Sequence, residues 1–303
     1  MDLDGDWPLP RPSARLKADR RLADSSLDGT KSIADTFSSL AAPVIAEAVQ
    51  RANELSASTG AESFHQLRVA FRKLRALYWA YAPYLGEEAT AEAVDEFKRL
   101  AAAAGAIRDW DIAGELLQGA QASGASIEPL VAAIGKKREQ AVADSHTAFG
   151  STNIEAFLSG VLLRAQTTLQ LQGDGLPVEA FAEERIRLAQ RALDKRSRRA
   201  TRSKTPHEEA LHDVRKAGKK LRYLLEFFQP VVEDGRNRDI KALAAMQNEL
   251  GQFNDLAASE TLIRNSSFEA VPAGILQDSL QWLQKQKCRQ MRAASKRVRA
   301  MAS

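Results

Sequence analysis

The chain has 303 residues, enough for one large domain or two of ordinary size, each with a sizeable apolar core. Its 43 basic residues are nearly balanced by 39 acidic ones, and its single cysteine excludes an intrachain disulfide and multi-cysteine metal sites. No apolar run approaches the roughly 20 residues that cross a bilayer, and the N-terminus lacks a signal-peptide pattern. We therefore expect a cytoplasmic protein in a reducing compartment, without a membrane partner.

Alanine, leucine, arginine, lysine and glutamate dominate the sequence, and β-branched residues occur singly rather than in runs. This composition favours an all-helical fold. Residues 1–30 mix proline, aspartate, serine and arginine without periodicity, which predicts a flexible N-terminal lead-in.

Helical periodicity in the first half begins at Ile33. Ser63 is placed to cap the second helix, and Pro83 is placed to end it. Gly105 and the polar run after it predict a break before a short helix. The predicted spans are 33–55, 63–82, 87–104, about 112–121 and 130–149.

The second half repeats this order of elements. Gly251 and the residues up to Asp255 predict a break that corresponds to the one at Gly105. Pro272 is predicted to open the last helix. The spans are 153–171, 178–199, 211–228, 238–250, a short helix, and 272 to about 301. We interpret residues 31–303 as one domain of two helical-bundle halves, about 31–150 and 151–303.

Two segments carry the same pattern of basic residues. In the later one, offsets of 0, +3, +7 and +10 relate His212, Arg215, Lys219 and Arg222, the second row. The same offsets 147 positions earlier relate His65, Arg68, Arg72 and Arg75, the first row. At about 100° per residue, each row falls within an arc of roughly 80°, opposite an apolar stripe.

Like charges at this spacing repel by a few tenths of a kcal/mol per pair on an isolated helix. A polyanion with closely spaced charges removes that repulsion and accepts charge-assisted hydrogen bonds. Arginine offers a fork that matches two phosphate oxygens, and lysine adds a point charge. The two rows therefore predict binding of a polyanion.

A third stripe of basic residues lies on the last predicted helix. Offsets of 0, +4, +7, +11 and +14 place on one face Lys285, Arg289, Arg292, Lys296 and Arg299. The corresponding segment of the first half is poorer, with Lys136, Lys137, Arg138 and His146. The path of the anion is therefore expected to be asymmetric and more positive on the C-terminal side.

Plainer interpretations compete with this one. A single basic stripe is usually a solvated helix face, but recurrence at identical offsets favours an anion site. A first-turn histidine is more often a cap or packing residue than a ligand. We interpret Gly218 as allowing close approach of another helix. Trp110 and Trp282 are assigned to the core, whereas Trp79 falls on the basic side of its helix.

Motifs for catalysis are missing from the sequence. It has no Walker A motif, no G-x-S-x-G, no H-E-x-x-H and no close His/Cys cluster. Asp109 and Asp111 could bind a cation, although two carboxylates at a predicted helix start are more often caps. A metal between His65 and His212 is disfavoured by the cations around each. We assign no enzyme activity, no cofactor and no metal site.

The segments HQLRVAFRKLR at 65–75 and HDVRKAGKKLR at 212–222 share the pattern H-x-x-R-x-x-x-[RK]-[KR]-x-R. Together with the G-x-x-R-D-x-D run at 105–111, they resemble the CHAD domain, a helical family named for its histidines. The resemblance spans about residue 30 to the C-terminus. It implies two four-helix bundles related by a pseudo-twofold axis, with a basic central channel that binds inorganic polyphosphate. Relatives associate with polyphosphate granules.

Carried onto this sequence, the resemblance implies that polyphosphate is bound by His65, Arg68, Arg72, Lys73, Arg75, His212, Arg215, Lys219, Lys220 and Arg222. We add Arg289 and Arg292 from the third stripe. At the second G-x-x-R-D site Asn254-Asp255 replaces Arg-Asp, which puts an ion pair there in doubt. Many relatives carry an N-terminal triphosphate-tunnel domain rich in E-x-E-x-K, which this sequence lacks, so we expect binding without hydrolysis.

The leading hypothesis is a non-enzymatic module that binds polyphosphate, with targeting to polyphosphate granules as its extension. The alternative is a nucleic-acid-binding helical protein, because basic helices also bind phosphodiesters. Most aromatic residues of the first basic segment lie towards its apolar side, which weighs against base stacking, although Trp79 and Tyr223 are near the rows. A phosphate-processing enzyme or accessory subunit is a third hypothesis.

Overall fold

The computed structural model describes residues 32–57, 61–121, 127–150, 152–172, 177–202, 206–232 and 237–302. These residues form no strand and nine helices: α1 Ile33–Ala57, α2 Ala61–Leu85, α3 Glu87–Gln121, α4 Glu128–Gly150, α5 Ile154–Gln172, α6 Val178–Thr201, α7 Glu208–Phe228, α8 Asn237–Arg264 and α9 Ala273–Ala302. The predicted all-α fold is confirmed. The predicted lead-in lies outside the described residues.

Local sequence accounts for several helix ends. At the start of α1 the amide of Asp35 donates a hydrogen bond to the hydroxyl of Ser32 (N–Oγ 3.0 Å), and Asn153 caps α5 in the same way. Pro272 immediately precedes α9, as predicted. Gly86 alone separates α2 from α3, and its φ of +84° is a conformation that glycine adopts without strain.

Two predicted helix breaks do not occur in the described helices. α3 continues through Gly105 and α8 continues through Gly251, so both predictions were wrong. A mid-helix glycine costs about 1 kcal/mol relative to alanine, but burial of apolar side chains at helical spacing offsets that cost. The buried side chains around the two glycines are Leu100, Ala104, Ile107 and Trp110 in α3, and Leu250, Phe253 and Leu256 in α8.

The capping prediction for Ser63 was also wrong. α2 begins at Ala61, so Ser63 lies in its first turn, and its hydroxyl donates a hydrogen bond to Glu54 on α1 (Oγ–Oε2 3.0 Å). Hydrogen bonds from Arg51, Gln50 and Ser63 lower the pKa of the Glu54 carboxyl. The contact between α1 and α2 therefore uses the hydroxyl that the sequence had assigned to a cap.

The described residues divide into two compact units. The first unit contains 32–104, 145–187 and 223–232, and the second contains 105–144, 188–222 and 237–302, in each case without the undescribed positions. α3, α4, α6 and α7 each contribute residues to both units. Each unit therefore takes helices from both halves of the sequence, and the predicted halves with their pseudo-twofold relation stay a prediction.

In the first unit, α1, α2 and α5 pack together around an aromatic core. The ring of Tyr81 on α2 lies 5.0 Å from Phe37 and 4.7 Å from Phe181, centroid to centroid. The hydroxyl of Tyr78 donates a hydrogen bond to the carbonyl of Val161 on α5 (3.0 Å). Burial raises the pKa of both tyrosines. One side of α2 is therefore anchored by this core.

In the second unit, α8 packs along α9, and α7 packs against α8. Gly218 on α7 lies against Met246 on α8, which confirms that this glycine allows close helix approach. Trp110 is buried, as predicted. Trp282 is only half-buried, and a Cβ on Gly119 would lie 3.5 Å from its ring, so its assignment to the core was only partly right.

Candidate functional site

The first row follows one side of α2, within the first unit. The apolar stripe predicted on this helix is 0–3% exposed and consists of Leu67, Ala70, Leu74, Leu77, Tyr78 and Tyr81. Along the row, His65 is exposed, Arg68 and Arg72 are half-buried, and Arg75 is 3% exposed. Lys73, beside the row, is half-buried. The basic side chains thus become more buried towards the C-terminal end of α2.

The second row follows α7, within the second unit. The predicted apolar stripe is again buried, at 0–6% exposure, and consists of Val214, Ala217, Leu221, Leu224, Leu225 and Phe228. All four members of the row are half-buried, and the neighbouring Lys220 is 7% exposed. The sequence therefore assigned both rows to the correct helices. That they line one channel stays a prediction.

The histidine of the second row is held by α8. Nδ1 of His212 lies 2.7 Å from Oδ1 of Asn254; because an amide oxygen only accepts, the contact selects the tautomer in which the Nδ1–H group donates the hydrogen bond. Asn254 stands where the family pattern has an arginine. Here the departure from the pattern replaces a charged group by one that orients the imidazole.

Asp255 places a carboxylate among the cations of the second row, a feature that the sequence did not reveal. Arg215 and Lys219 on α7 and Arg108 on α3 interact with it electrostatically, as does Asp109. Burial raises the pKa of Asp255, Asp109 raises it further, and the three cations oppose both effects. The second row is therefore partly neutralised from within its own unit.

The acidic pair after Gly105 lies inside a continuous helix. Arg108 forms an ion pair with Glu115 (2.9 Å), and Asp111 accepts a hydrogen bond from Arg138 on α4 (Nε–Oδ1 2.5 Å). Neither Asp109 nor Asp111 is at a helix start, so their interpretation as caps was wrong. Across the described residues, no three side chains of histidine, cysteine, aspartate or glutamate come together as metal ligands would.

The third stripe lies on α9 in the second unit. Its five members, Arg289 and Arg292 among them, are exposed. Lys287, in the same basic run, has a different environment. Its ammonium group bridges Glu260 on α8 (2.6 Å) and Glu208 on α7 (2.7 Å), and its side chain is 15% exposed. Lys287 is therefore a link between helices, which local spacing could not show.

Arg185 on α6 is a cation that the sequence analysis did not single out. It is 2% exposed, and its guanidinium carbon lies 4.6 Å from the centre of the Trp79 ring. Burial lowers the pKa of Arg185 to about 10, while Glu184 and Tyr84 raise it. Trp79 itself is 6% exposed and Tyr223 is 4% exposed. The two aromatic residues near the rows are thus poorly accessible for stacking with a base.

Within each row, guanidinium and ammonium groups lie about one helical turn apart. This spacing suits an anion whose charged groups repeat along its length. Within the described part of the chain, no helix combines the length and apolar character needed to span a membrane.

The fold and the site define an all-helical protein with repeated cationic helices. The family model of the CHAD domain matches residues 44–264, and the chain belongs to this family. The crystal structure of the CHAD domain from the plant Ricinus communis is similar at 23% identity, with a TM-score of 0.73, over 92% of this chain and 96% of that one. PptA from Streptomyces chartreusis is similar at 16% identity, with a TM-score of 0.67, over 89% and 99%. No protein of curated function matches the sequence significantly.

Proposed function

We propose that this protein binds inorganic polyphosphate along its two basic rows and does not hydrolyse it. One observation carries the proposal: each row keeps half-buried cations in a line, while Trp79 and Tyr223, the aromatic residues near the rows, are buried. A chain of phosphates needs only the cations. Single-stranded nucleic acid also gains from accessible rings on which its bases stack.

Partial burial strengthens the interaction of each cation with an anion. Two unit charges 4 Å apart attract by about 1 kcal/mol in water and by about 4 kcal/mol at the effective dielectric near a protein surface. Polyphosphate carries a charge on every phosphate, so side chains one turn apart can each meet an anionic group. Arginine and lysine alternate along the second row, and both types bind phosphate.

Membership of the CHAD family supports the choice of polyphosphate, since the family resemblance implies that ligand. The proposal includes two finer expectations from the resemblance. Both rows bind the same polyphosphate molecule along one channel, with Arg289 and Arg292 extending its path, and the bound polymer recruits the protein to polyphosphate granules. A titration with short-chain polyphosphate tests the first of these, because a shared channel gives one bound molecule per protein and separate rows give two.

The main test is calorimetric titration with long-chain polyphosphate, single-stranded RNA and single-stranded DNA at about 0.15 M salt, where weak surface electrostatics are largely screened. We expect polyphosphate to bind far more tightly than either nucleic acid. Equal affinity for all three polymers would contradict a preference for polyphosphate and would mean that the basic residues bind any polyanion. Release of orthophosphate from polyphosphate in the presence of Mg²⁺ would instead support an enzyme.

A double variant assigns the binding to the rows. Arg72→Gln with Lys219→Gln removes one half-buried cation from each row and is expected to weaken polyphosphate binding roughly a hundredfold, about 1.4 kcal/mol per side chain. The matched control is Arg187→Gln with Arg191→Gln, which removes two exposed cations of α6. The control should bind like the wild type. A similar loss in both variants would contradict the assignment.

The granule extension has its own readout. A fluorescent fusion expressed in cells that accumulate polyphosphate should collect on the granules, and the Arg72/Lys219 variant should stay dispersed. If the wild-type protein is dispersed, granule targeting is contradicted, and the proposed binding of polyphosphate is then tested by calorimetry alone.

A further inference from the structure

Pro83 was predicted to end the second helix, but α2 continues to Leu85, so Pro83 lies inside the helix and creates an unusual site near its end. A proline inside a helix has no amide proton, so the carbonyl four residues earlier loses its helical donor. That carbonyl belongs to Trp79, and Nη2 of Arg185 on α6 donates a hydrogen bond to it (3.4 Å). The same guanidinium covers the Trp79 ring, with 4.6 Å from its carbon to the ring centre. Two contacts thus fix the position of the Arg185 charge.

Trp79 continues the first row. It lies 14 positions after His65, which at about 100° per residue places it inside the arc of the row, one turn beyond Arg75. The row would end there without a cation, but Arg185 supplies one from a neighbouring helix. In the second row the position at +14 is Glu226, an acidic residue. The two rows therefore differ in charge at this end.

The Arg185 guanidinium is charged at neutral pH and is buried within the first unit. Within the described chain, the guanidinium stacks on the Trp79 ring and donates to the Trp79 carbonyl, and Glu184 and Tyr84 raise its pKa. No carboxylate of the described residues forms an ion pair with it. A buried charge without a paired acid projects a stronger field than a solvated one, because less water lies around it; salt in the solvent still screens the part of that field which reaches a bound anion.

We propose that Arg185 is the terminal cation of the first row and strengthens polyphosphate binding through its electrostatic field, while its stacking holds Trp79 in place. The inference rests on the proposed function. It assigns Arg185 a positioning and electrostatic role without contact with the ligand. A purely structural role, as the donor that satisfies the Trp79 carbonyl, is the competing explanation.

The experiment compares polyphosphate affinities of the full-length wild type with Arg185→Lys, Arg185→Gln and Arg185→Met at 0.1 M and 0.4 M salt. Folding is checked by circular dichroism. Removing the charge should weaken binding about fivefold to tenfold at 0.1 M salt. The loss should shrink to about twofold at 0.4 M because the screening length decreases. Arg185→Lys should stay within about twofold of the wild type, and so should the control Arg187→Gln, an exposed cation two residues further along α6.

Three results would overturn the inference. The first is wild-type affinity for polyphosphate in Arg185→Gln. The second is a loss of affinity in Arg185→Gln that does not change with salt and that Arg185→Lys shares, and the third is failure of both the Gln and Met variants to fold. Each of these leaves the proposed function intact if the Arg72/Lys219 variant still loses affinity. Failure of the wild type to bind polyphosphate would instead remove the proposed function itself.

Discussion

The terminal methyl group of Met246 occupies the space that a side chain on Gly218 would need. Met246 is fully buried, so this contact joins α7 and α8 at a point where the second row lies on α7. By contrast, a Cβ on Gly251, also mid-helix in the second unit, would meet no atom within 4 Å. The two glycines therefore have different reasons to be present in their helices.

Alanine at these two positions should change the free energy of unfolding in opposite directions. Gly251→Ala gains helix propensity, up to about 1 kcal/mol, with no steric cost. Gly218→Ala has the same gain but must displace the buried Met246 methyl, and overpacking of this kind costs roughly 1–3 kcal/mol. Urea unfolding measures both, and Met246→Leu in the Gly218→Ala background should restore part of the loss. Equal stabilisation by both alanines would show that α7 and α8 can adjust freely.

The hydrogen bond between His212 and Asn254 should matter for both stability and binding. Asn254→Ala removes the acceptor that orients the imidazole, and we expect a loss of about 0.5–1.5 kcal/mol in stability. Polyphosphate affinity should fall by no more than about tenfold, since the arginines and lysines of the row remain. Gln252→Ala, at an exposed position two residues earlier on α8, is the control and should leave both quantities unchanged.

Helix spans and basic rows were predictable because burial follows the helical period over many residues. The errors at Gly105 and Gly251 came from reading a glycine next to polar residues as a break, where tertiary packing outweighs a penalty of about 1 kcal/mol. The error at Gly251 also hid the approach of two α8 residues to α7. Once α8 is continuous, Asn254 and Asp255 become helical residues that can approach α7, which a predicted loop does not suggest.

The partners that side chains meet on other helices could not be predicted from the sequence for a related reason. Lys287 shares its basic run with Lys285, yet only Lys287 meets two carboxylates from other helices. The spacing of residues predicts on which face of a helix a side chain lies, but not which side chains of the neighbouring helix it contacts. One feature of the sequence could have indicated the contact of Arg185: Pro83 leaves the Trp79 carbonyl without its helical donor, so another group must donate to it.

Replacing Lys287 by methionine should destabilise the second unit. Burial alone would raise the pKa of Glu260, but hydrogen bonds from Lys287 and Arg264, together with their charges, leave it lowered. Lys287→Met takes away one of these partners from a carboxylate that is 8% exposed, and we expect a cost of about 1–3 kcal/mol at pH 7. Lys285→Met, at an exposed position on the same helix, should cost less than about 0.5 kcal/mol.

The pH dependence of these variants provides a second measurement. An acid whose pKa is lowered by folding stabilises the fold above its ordinary pKa, and this contribution is lost as the pH falls through the lowered value. The difference in stability between wild type and Lys287→Met should therefore be largest near neutral pH and should narrow in acid. A difference that is independent of pH would mean that packing, rather than the charge on Glu260, accounts for the loss.

Replacing Asp255 by asparagine should have the opposite sign in both stability and binding. Because burial raises the pKa of Asp255, its ionised form costs stability at neutral pH, and that cost disappears as the pH falls through the raised value. Asp255→Asn should thus be more stable than the wild type at pH 7, with an advantage that shrinks towards pH 4. It also removes a negative charge beside Arg215 and Lys219, so polyphosphate should bind up to about tenfold more tightly at pH 7. Urea unfolding and calorimetry across this pH range measure the two effects, and a variant that is less stable at pH 7 would show that the attraction of Asp255 to its three cations outweighs its burial.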